Sequence, residues 1–326
     1  MMKHKMLRGF SYTVIVITLL AGCSDPVTQE EFVPQAIAAA KIPDEKATVY
    51  YAGENFVKSV FAAGGNILYV CGIKDDGSYF LGYMPQEADV FQEFDMDMDE
   101  GMRAFDMVID SRGQCHILWM SVDKVRLNGQ LLDRINYEQS RITVVNSEGE
   151  LEKEVDISGI LAPRQTRPFC FVVDREGNYY VESGKDLIRI EPDGTQEKVT
   201  ACDGWIEGVG VGRSGAVYCT YAEESGGRRL ARLEENGFSV CDVELPEAQP
   251  VYAGIYAGTD SEILLFNKES GIIAYDGNEL EVRVSGEELP VKGGDIRGYG
   301  ILSDGRACIL SQENGTTVFY YVPAGK

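Results

Sequence analysis

Five side chains that hold anions or stack on flat ligands recur at similar places in a repeated pattern of short strands. They are three arginines and two aromatic residues: Arg103, Arg167, Trp205, Tyr252 and Arg297. A guanidinium binds a carboxylate through two parallel hydrogen bonds, and an aromatic ring stacks on a sugar or another flat group. If the repeats close into a ring, the five side chains meet at one rim of its channel. The pattern therefore predicts a rim site for an anionic small molecule, a glycan or a peptide end.

The same arginines have a second interpretation, because acidic residues lie close to them. Asp106, Glu207 and Asp295 are near in sequence, and ion pairs between neighbouring side chains are common at protein surfaces. In that case the rim charges neutralise one another and hold no ligand. The sequence leaves both interpretations open.

Other motifs that are similar to catalytic or metal sites fail on their context. Beyond residue 22 the chain has one histidine, His116, which lies in a strand pattern and is predicted to be structural. Residues 210–215 match a dinucleotide-binding pattern, but a strand follows where that fold needs a helix. Residues 95–101 are similar to a calcium loop that lacks the required glycine and glutamate. The sequence thus identifies no catalytic residue, metal site or cofactor.

The N-terminal segment is typical of an export signal that ends at a lipid-attachment cysteine. Lys3, Lys5 and Arg8 precede an apolar run, residues 10–20, that is too short to span a bilayer comfortably. Residues 20–23 are Leu-Ala-Gly-Cys, which resembles the lipobox of bacterial lipoproteins. The resemblance implies cleavage before Cys23 and acylation of its sulfur. An ordinary signal peptide or an uncleaved helix is the alternative.

This resemblance predicts an exported protein, held at the outward-facing side of a bacterial cell membrane by acyl chains on Cys23. Two or three acyl chains anchor a protein stably where one does not. The formal charge of −22 repels phosphate backbones, so we expect no nucleic-acid partner. The membrane is therefore the predicted partner, together with an unidentified small molecule, glycan or protein.

Seven cysteines follow Cys23, an odd number that cannot pair completely in disulfides. Four of them lie in apolar strand patterns and are predicted to be small buried residues: Cys71, Cys115, Cys219 and Cys308. A bridge between Cys202 and Cys241 stays open at this level.

From residue 48 onward, short apolar alternations separated by glycine-containing turns predict an all-β fold. Residues 169–181 show one unit: a strand, a tight turn and a strand. Corresponding turns lie near residues 65, 113, 177, 215, 261 and 305. Most of their spacings are close to the length of a propeller blade, about 40–50 residues. Further Asn-Gly and Asp-Gly turns indicate four strands in each unit.

Three details support a closed ring. The last repeat has only three predicted strands, and the predicted strand at residues 48–51 belongs to no repeat. If this strand pairs with the last repeat, it supplies the fourth strand and no free edge is left. Glycines recur in the first strands, where backbones crowd the axis: Gly208, Gly210, Gly212, Gly254, Gly258, Gly298 and Gly300. Residues 122–139 contain a hairpin signal, Asn128-Gly129, and are predicted to be an insertion that projects from one face.

The chain therefore resembles six-bladed β-propellers of the NHL, TolB-like and gluconolactonase-like kind, whose repeats carry Asp-x-x-Gly-Asn turns. We expect residues 1–22 to be a signal peptide and residues 23–46 to be the lipid anchor and a tether, with a short helix at residues 36–40. Residues 47–326 are expected to form the propeller, which an N-terminal strand closes. In organisation the chain is similar to propeller lipoproteins of gut bacteria, some of which accompany solute-uptake systems.

Two functions fit this organisation. The first is a surface lipoprotein whose propeller binds a ligand or a protein, as an accessory to solute uptake. The alternative is a propeller enzyme, similar to a lactonase or lyase, that depends on a divalent cation. Arginine, aromatic residues and glycine at the first strands, in place of clustered carboxylates, favour the binding module.

Cys23→Ala is expected to abolish the attachment of lipid, because the thiol is the acceptor of the diacylglycerol. Metabolic labelling with a tagged fatty acid, followed by isolation of the protein, measures it. Cys308→Ala serves as the matched control and keeps its label. Label that persists in Cys23→Ala rules out the predicted anchor.

Overall fold

The computed structural model describes residues 36–41, 47–52, 60–65, 67–73, 78–85, 92–127, 130–160, 170–235, 237–246, 254–291, 295–313 and 316–324. Within them the chain forms 25 strands and one turn of 3-10 helix, Gly286–Glu288. No helix in these ranges has the length and apolar character that crossing a bilayer requires.

Most strands belong to antiparallel groups of four. Four groups are separate sheets: β7 (Met102–Ile109), β8 (Cys115–Leu127), β9 (Gln130–Val145) and β10 (Leu151–Asp156); β11 (Phe171–Val173), β12 (Tyr179–Ser183), β13 (Asp186–Ile190) and β14 (Gln196–Ala201); β15 (Gly204–Val211), β16 (Val217–Glu223), β17 (Arg228–Glu234) and β18 (Gly237–Val240); β19 (Gly254–Ala257), β20 (Ile263–Asn267), β21 (Gly271–Tyr275) and β22 (Leu280–Val284). Each is a meander in which consecutive strands are neighbours, as the repeated hairpin turns predict.

The remaining strands form one sheet of nine, in the order β1-β2-β25-β24-β23-β3-β4-β5-β6. They are β1 (Ala36–Lys41), β2 (Ala47–Ala52), β3 (Val60–Gly65), β4 (Ile67–Ile73), β5 (Tyr79–Pro85), β6 (Gln92–Met96), β23 (Asp295–Leu302), β24 (Arg306–Glu313) and β25 (Thr316–Pro323). A short parallel pairing between β23 and β3 joins its two halves. Strand pairing alone therefore does not separate six blades, and the count of six stays a prediction.

The first strands of the groups follow one another in a closed circuit: β3 contacts β7, then come β11, β15, β19 and β23, and β23 contacts β3 again. Apolar side chains of neighbouring sheets pack between them. Phe61 and Leu68 pack with Leu310 and Phe319 between the two halves of the nine-stranded sheet. The chain is a β-propeller, with a core that is divided among the spaces between adjacent sheets.

The N-terminal strand closes this ring, as predicted. β2 runs antiparallel to β25, with Thr48 opposite Tyr320 and Ala52 opposite Thr316. β2 thus supplies the fourth strand beside β23, β24 and β25, whose last strand would otherwise be an open edge.

The predicted helix at residues 36–40 is wrong. The segment is β1, which pairs antiparallel with β2, so that Ala36 lies opposite Tyr51. Its alanines favour a helix by intrinsic propensity. Hydrogen bonds to the adjacent edge of β2 override that weak preference.

The cysteines behave as small core residues. All seven that follow Cys23 carry free thiols, and Cys71, Cys115, Cys219 and Cys308 are buried as predicted. The bridge between Cys202 and Cys241 that the sequence left open is not formed. Cys202 instead places its sulfur 3.7 Å from the sulfur of Cys219.

Glycines allow the first strands to approach one another closely. A Cβ atom on Gly210 would lie 2.3 Å from the carbonyl oxygen of Ile255 in β19. A Cβ atom on Gly300 would lie 2.4 Å from the Cβ of Ala63 in β3. Real Cβ atoms do not approach other atoms so closely, so the ring depends on glycine at these two positions.

Gly210→Ala is expected to lower the free energy of unfolding by about 1–3 kcal/mol, because the added methyl group forces β15 and β19 apart. Chemical unfolding of the purified protein measures the loss. Gly227→Ala is the control, since a Cβ there meets only the flexible end of the Glu223 side chain at 3.0 Å. Equal unfolding midpoints for the two variants would contradict the crowding argument.

Candidate ligand site in the central channel

A cavity of about 420 Å³ lies on the axis of the ring. Each of the six first strands contributes to its wall, from the middle of the strand to the turn that follows. The lining residues are 62–64, 106–111, 170–175, 209 and 211–213, 254–257 and 259, and 301–303. The cavity therefore opens on the face that carries the turns after the first strands, which we call the mouth face. Its size lies within the range of small-molecule sites.

Asp106 lies in the middle part of this wall, while Asp110, Asp174, Arg175 and Arg213 line the cavity nearer to the turns. One carboxylate oxygen accepts the backbone N–H of Met107 at 2.9 Å, and the other accepts the backbone N–H of Phe171 at 3.2 Å. These bonds tie β7 to β11 and hold the carboxyl in one position. Protein surrounds the group, while part of its surface remains open to the lumen.

A register shift places Asp106 in the lumen. Between Ala104 and Asp106 the pairing of β7 with β8 skips one residue, so Phe105 has no partner across the ladder. β15 and β23 carry the same shift before Gly208 and Gly298. At equivalent positions two first strands thus have glycine, and β7 has a carboxyl group.

Burial raises the pKa of Asp106 to about 7, although the two backbone N–H groups lower it. Desolvation disfavours the charged form of a carboxyl group, and no cationic side chain is among the causes that offset it. Near neutral pH this group therefore holds or releases a proton with little free-energy change.

Tyr256 and Cys170 also line the lumen. The hydroxyl of Tyr256 donates to the backbone carbonyl of Tyr299. Burial, followed by the nearby charge of Asp106, raises the pKa of Tyr256, so the phenol stays protonated. With Val172, Val209 and the backbone of the first strands, these residues offer a wall of mixed aliphatic and aromatic character.

The carboxylates at the mouth accept hydrogen bonds from the turns to which they belong. Asp174 accepts the backbone N–H and the side-chain amide of Asn178, both at 2.8 Å. Asp110 accepts the backbone N–H groups of Arg112 and Gln114, each at 2.9 Å. Burial raises the pKa of Asp110, but hydrogen bonds, the one from His116 first, outweigh it and lower the pKa to about 2. These carboxylates stabilise the turns that form the mouth.

His116 lies beneath the mouth in a buried network. Its Nδ1 is 3.0 Å from the hydroxyl of Tyr179, and its Nε2 is 3.4 Å from a carboxylate oxygen of Asp110. Its ring also packs edge-on against Tyr179. These contacts are those of a structural histidine, which the strand context predicts.

The residues predicted for the rim site lie elsewhere or outside the described chain. Arg103 forms an ion pair with Asp133 at 2.6 Å, rather than with Asp106. Trp205 is about half exposed, and the Nζ of Lys185 lies 5.9 Å from its ring centre. Neither residue lines the cavity. Of the other three, Arg167 and Tyr252 lie outside the described residues, and Arg297 is described in its backbone alone.

Strand register relates three of these positions. Arg103 and Trp205 each come two residues before the unpaired residue of their strand, so they occupy equivalent places. Arg297 is itself the unpaired residue of β23, and Asp295 holds the place that matches Arg103. The first strands begin on the face opposite to the mouth. Arg103 and Trp205 therefore lie toward the end of the channel that is opposite to the mouth.

The sequence pattern does not identify Asp106 as a site residue. It predicts Asp106 as an ion-pair partner for an arginine, whereas the structure places the carboxyl in the lumen. Asp106 occupies the position that is equivalent to Gly208 and Gly298, and this equivalence could have identified it. The unpaired residue in each strand shifts the alternation of side chains and makes the equivalence hard to recognise in the sequence. Among the described residues no group of three or more histidine, cysteine or acidic residues is arranged to hold a metal ion. The carboxylates of residues 95–101 are exposed, with Asp95 in β6 and the others in the stretch between β6 and β7.

Comparisons with known proteins address the fold. No family model matches the chain, and no curated protein matches it in sequence. Among solved structures, AofleA from Arthrobotrys oligospora is 12% identical with a TM-score of 0.54, over 90% of this chain and 96% of that one. The PQQ-bound aldose sugar dehydrogenase from Streptomyces coelicolor is 9% identical with a TM-score of 0.51, over 89% of this chain and 99% of that one. A gluconolactonase from Xanthomonas campestris is 11% identical with a TM-score of 0.48, over 93% and 99%.

This likeness shows a shared β-propeller architecture. At such low identity it does not carry a ligand or an activity from one protein to another, because one fold hosts many functions.

Asp106→Asn is expected to flatten the pH dependence of stability. Since the folded pKa of about 7 exceeds the unfolded value, the folded wild type keeps a proton that the unfolded chain releases. Its free energy of unfolding therefore falls as the pH rises from about 4 to 7, by up to about 4 kcal/mol from this group. Urea unfolding at several pH values measures the difference between wild type and variant.

Asp133→Asn is the control for that experiment. Hydrogen bonds from Lys124 and Arg103 lower the pKa of Asp133 to about 2, so its titration is complete below pH 4. The control variant is expected to follow the wild-type trend between pH 4 and 7. A similar trend in Asp106→Asn would show that Asp106 does not titrate in this range.

Proposed function

We propose that this propeller binds a small, uncharged, hydroxyl-bearing molecule in its central channel. One observation carries the proposal: the enclosed carboxyl of Asp106 lines a cavity of about 420 Å³ whose wall also contains aliphatic side chains such as Val172 and Val209. A carboxyl group that already accepts two backbone N–H groups has lone pairs left for hydroxyl donors. The aliphatic wall suits the C–H faces of the same molecule. Small-molecule sites commonly combine a concave apolar surface with a few polar groups that orient the ligand.

The protein performs this role at a membrane surface in our proposal, held by acyl chains on Cys23. The support is the signal-like N-terminus and its Leu-Ala-Gly-Cys sequence. A binding protein that is tethered outside the cell concentrates a solute near the membrane, which fits an accessory role in solute uptake.

The predicted rim of Arg103, Arg167, Trp205, Tyr252 and Arg297 remains a second candidate for the ligand site. It is suited to an anion or glycan, whereas the channel offers the carboxyl of Asp106 to a hydroxyl-bearing ligand. Because Arg103 and the cavity lie at opposite ends of the channel, substitutions can test the two sites separately.

An enzyme that acts in the same channel is the second candidate function. A carboxyl group with a pKa of about 7 exchanges protons readily at neutral pH, as a general acid or base must. The aldose sugar dehydrogenase with the same fold also favours this alternative. In this version Asp106 moves a proton to or from a bound hydroxyl-bearing or lactone substrate. The lactonase- or lyase-like enzyme predicted from the sequence depends on a divalent cation, so turnover is measured with and without added calcium.

Asp106→Ala is expected to weaken channel binding at least tenfold, which corresponds to about 1.4 kcal/mol, because a hydrogen-bonding anchor is lost. A panel of monosaccharides and their lactones, screened by thermal shift and followed by calorimetry, identifies the probe. The double variant Arg103→Ala with Arg167→Ala is the matched control and keeps full affinity. The reverse result, with affinity lost only in the arginine variant, would assign the ligand to the rim.

Turnover separates a binding protein from an enzyme. Each probe that binds is incubated with the protein, with and without added calcium, and the products are analysed. A saturable ligand that is recovered unchanged supports the binding role. Conversion that is lost in Asp106→Asn and kept in the arginine double variant would instead establish the enzyme.

A further inference from the structure

A long hairpin extends from one face of the propeller. β8 and β9 pair with each other as far as Leu127 opposite Gln130. Their neighbours end earlier, because β7 stops at Met102 opposite Ser121 and β10 stops at Asp156 opposite Arg141. Residues 122–139, which we call the finger, therefore lie beyond the sheet, as the sequence predicts for the insertion. Six paired positions on the β8 side make the finger about 20 Å long.

The tip of the finger is apolar and exposed. Leu127, Leu131 and Leu132 are 59%, 61% and 41% exposed. They make up three of the seven large apolar side chains that are exposed in the described part of the chain. Single exposed leucines are common on soluble proteins, but three at one projecting tip indicate a surface that binds something apolar.

The finger differs in charge from the rest of the chain. Residues 122–139 carry three basic side chains, Lys124, Arg126 and Arg134, and three acidic ones, Asp123, Asp133 and Glu138, so the finger is neutral in a chain whose formal charge is −22. Asp133 pairs with Lys124 and with Arg103 of β7. An anionic lipid surface therefore repels the finger less than it repels the rest of this acidic protein.

The chain enters the propeller on the face from which the finger projects. In each group the turn between the second and third strands lies on the face opposite to the mouth, and the finger is such a turn. β25 begins at this face with Thr316, and its partner there is Ala52. β1 begins beside the same end of β2, since Ala36 lies opposite Tyr51. We call this side of the molecule the finger face.

The length of the preceding chain is compatible with contact between the finger and a membrane. Twelve residues lie between Cys23 and Ala36, and the thirteen Cα–Cα steps span at most about 45 Å when fully extended. This reach exceeds the length of the finger. The acyl chains of Cys23 and the tip of the finger can therefore occupy the same bilayer.

We propose that the finger docks on the bilayer that anchors the protein, with its three leucines inserted at the boundary between headgroups and acyl chains. This proposal rests on the lipid anchor of the proposed function. The exposed Arg126, next to Leu127, contacts the headgroups, and the acyl chains on Cys23 keep the tip at high local concentration near the surface. The docked finger also sets the orientation of the ring, so that the mouth of the channel points away from the membrane.

Tryptophan reporters in the lipidated full-length protein test this arrangement. Leu131→Trp reports the finger tip, and Leu151→Trp reports the mouth face. Leu151 is a matched control because it is also 61% exposed. It follows the turn at residues 146–150, after the third strand of the same sheet. Both reporters are made in a Trp205→Phe background, which leaves the buried Trp119 as the other tryptophan.

Each protein is reconstituted into vesicles of phosphatidylcholine and phosphatidylglycerol with brominated acyl chains, which quench only tryptophans within the bilayer. We expect the emission of Leu131→Trp to fall at least about twofold, and that of Leu151→Trp to stay unchanged. Hydrogen exchange on the protein without reporters is the second measurement. Residues 122–139 should gain protection in vesicles, relative to detergent, while residues 146–156 do not.

Each other outcome overturns the proposal in a different way. If the chain stays on the vesicles but neither reporter is quenched, the anchor holds and the finger does not dock. A protein partner then becomes the candidate for the leucines. Equal quenching of both reporters would overturn the orientation. A chain that fails to sediment with the vesicles lacks the anchor, and the docking proposal fails with it.

Discussion

The close approach of backbones around the axis is the constraint on which this structure depends. First strands from neighbouring sheets lie so near that Gly210 and Gly300 have no room for a Cβ atom. The approach gives the ring its small diameter and leaves a lumen of small-molecule size. Each glycine that permits closure is also a position without a functional group. Asp106 is the exception among the equivalent positions, since β15 and β23 have Gly208 and Gly298 there.

The two faces of the ring have different properties. The mouth face is built from Asx turns, in which Asp110 and Asp174 hold backbone N–H groups. These turns make a rigid, polar rim around the opening of the cavity. The opposite face carries the finger with its exposed leucines, and β1 begins there. In the proposed function the first face exchanges a soluble molecule and the second attaches the protein to a membrane.

Features that depend on local pattern could be predicted from the sequence. The hairpin turns, the closing strand at residues 48–51 and the projecting insertion follow from alternating apolar residues, glycine and Asn-Gly pairs. The location of Asp106 could not be predicted in the same way. One unpaired residue, Phe105, shifts the alternation in β7, and a shift of one residue exchanges the faces of every side chain beyond it. The strand at residues 36–41 was missed for a different reason, because its partner and not its own alanines decides its structure.

Ring closure by β2 also sets a condition on how the protein matures. Thr48 and Tyr320 pair directly although almost the whole domain lies between them in sequence. Contacts between such distant parts of a chain form slowly, and the last sheet lacks its fourth strand until they do. A ribosome makes residue 320 after most of the domain that precedes it, so the ring stays open until the strands of the last sheet have been synthesised.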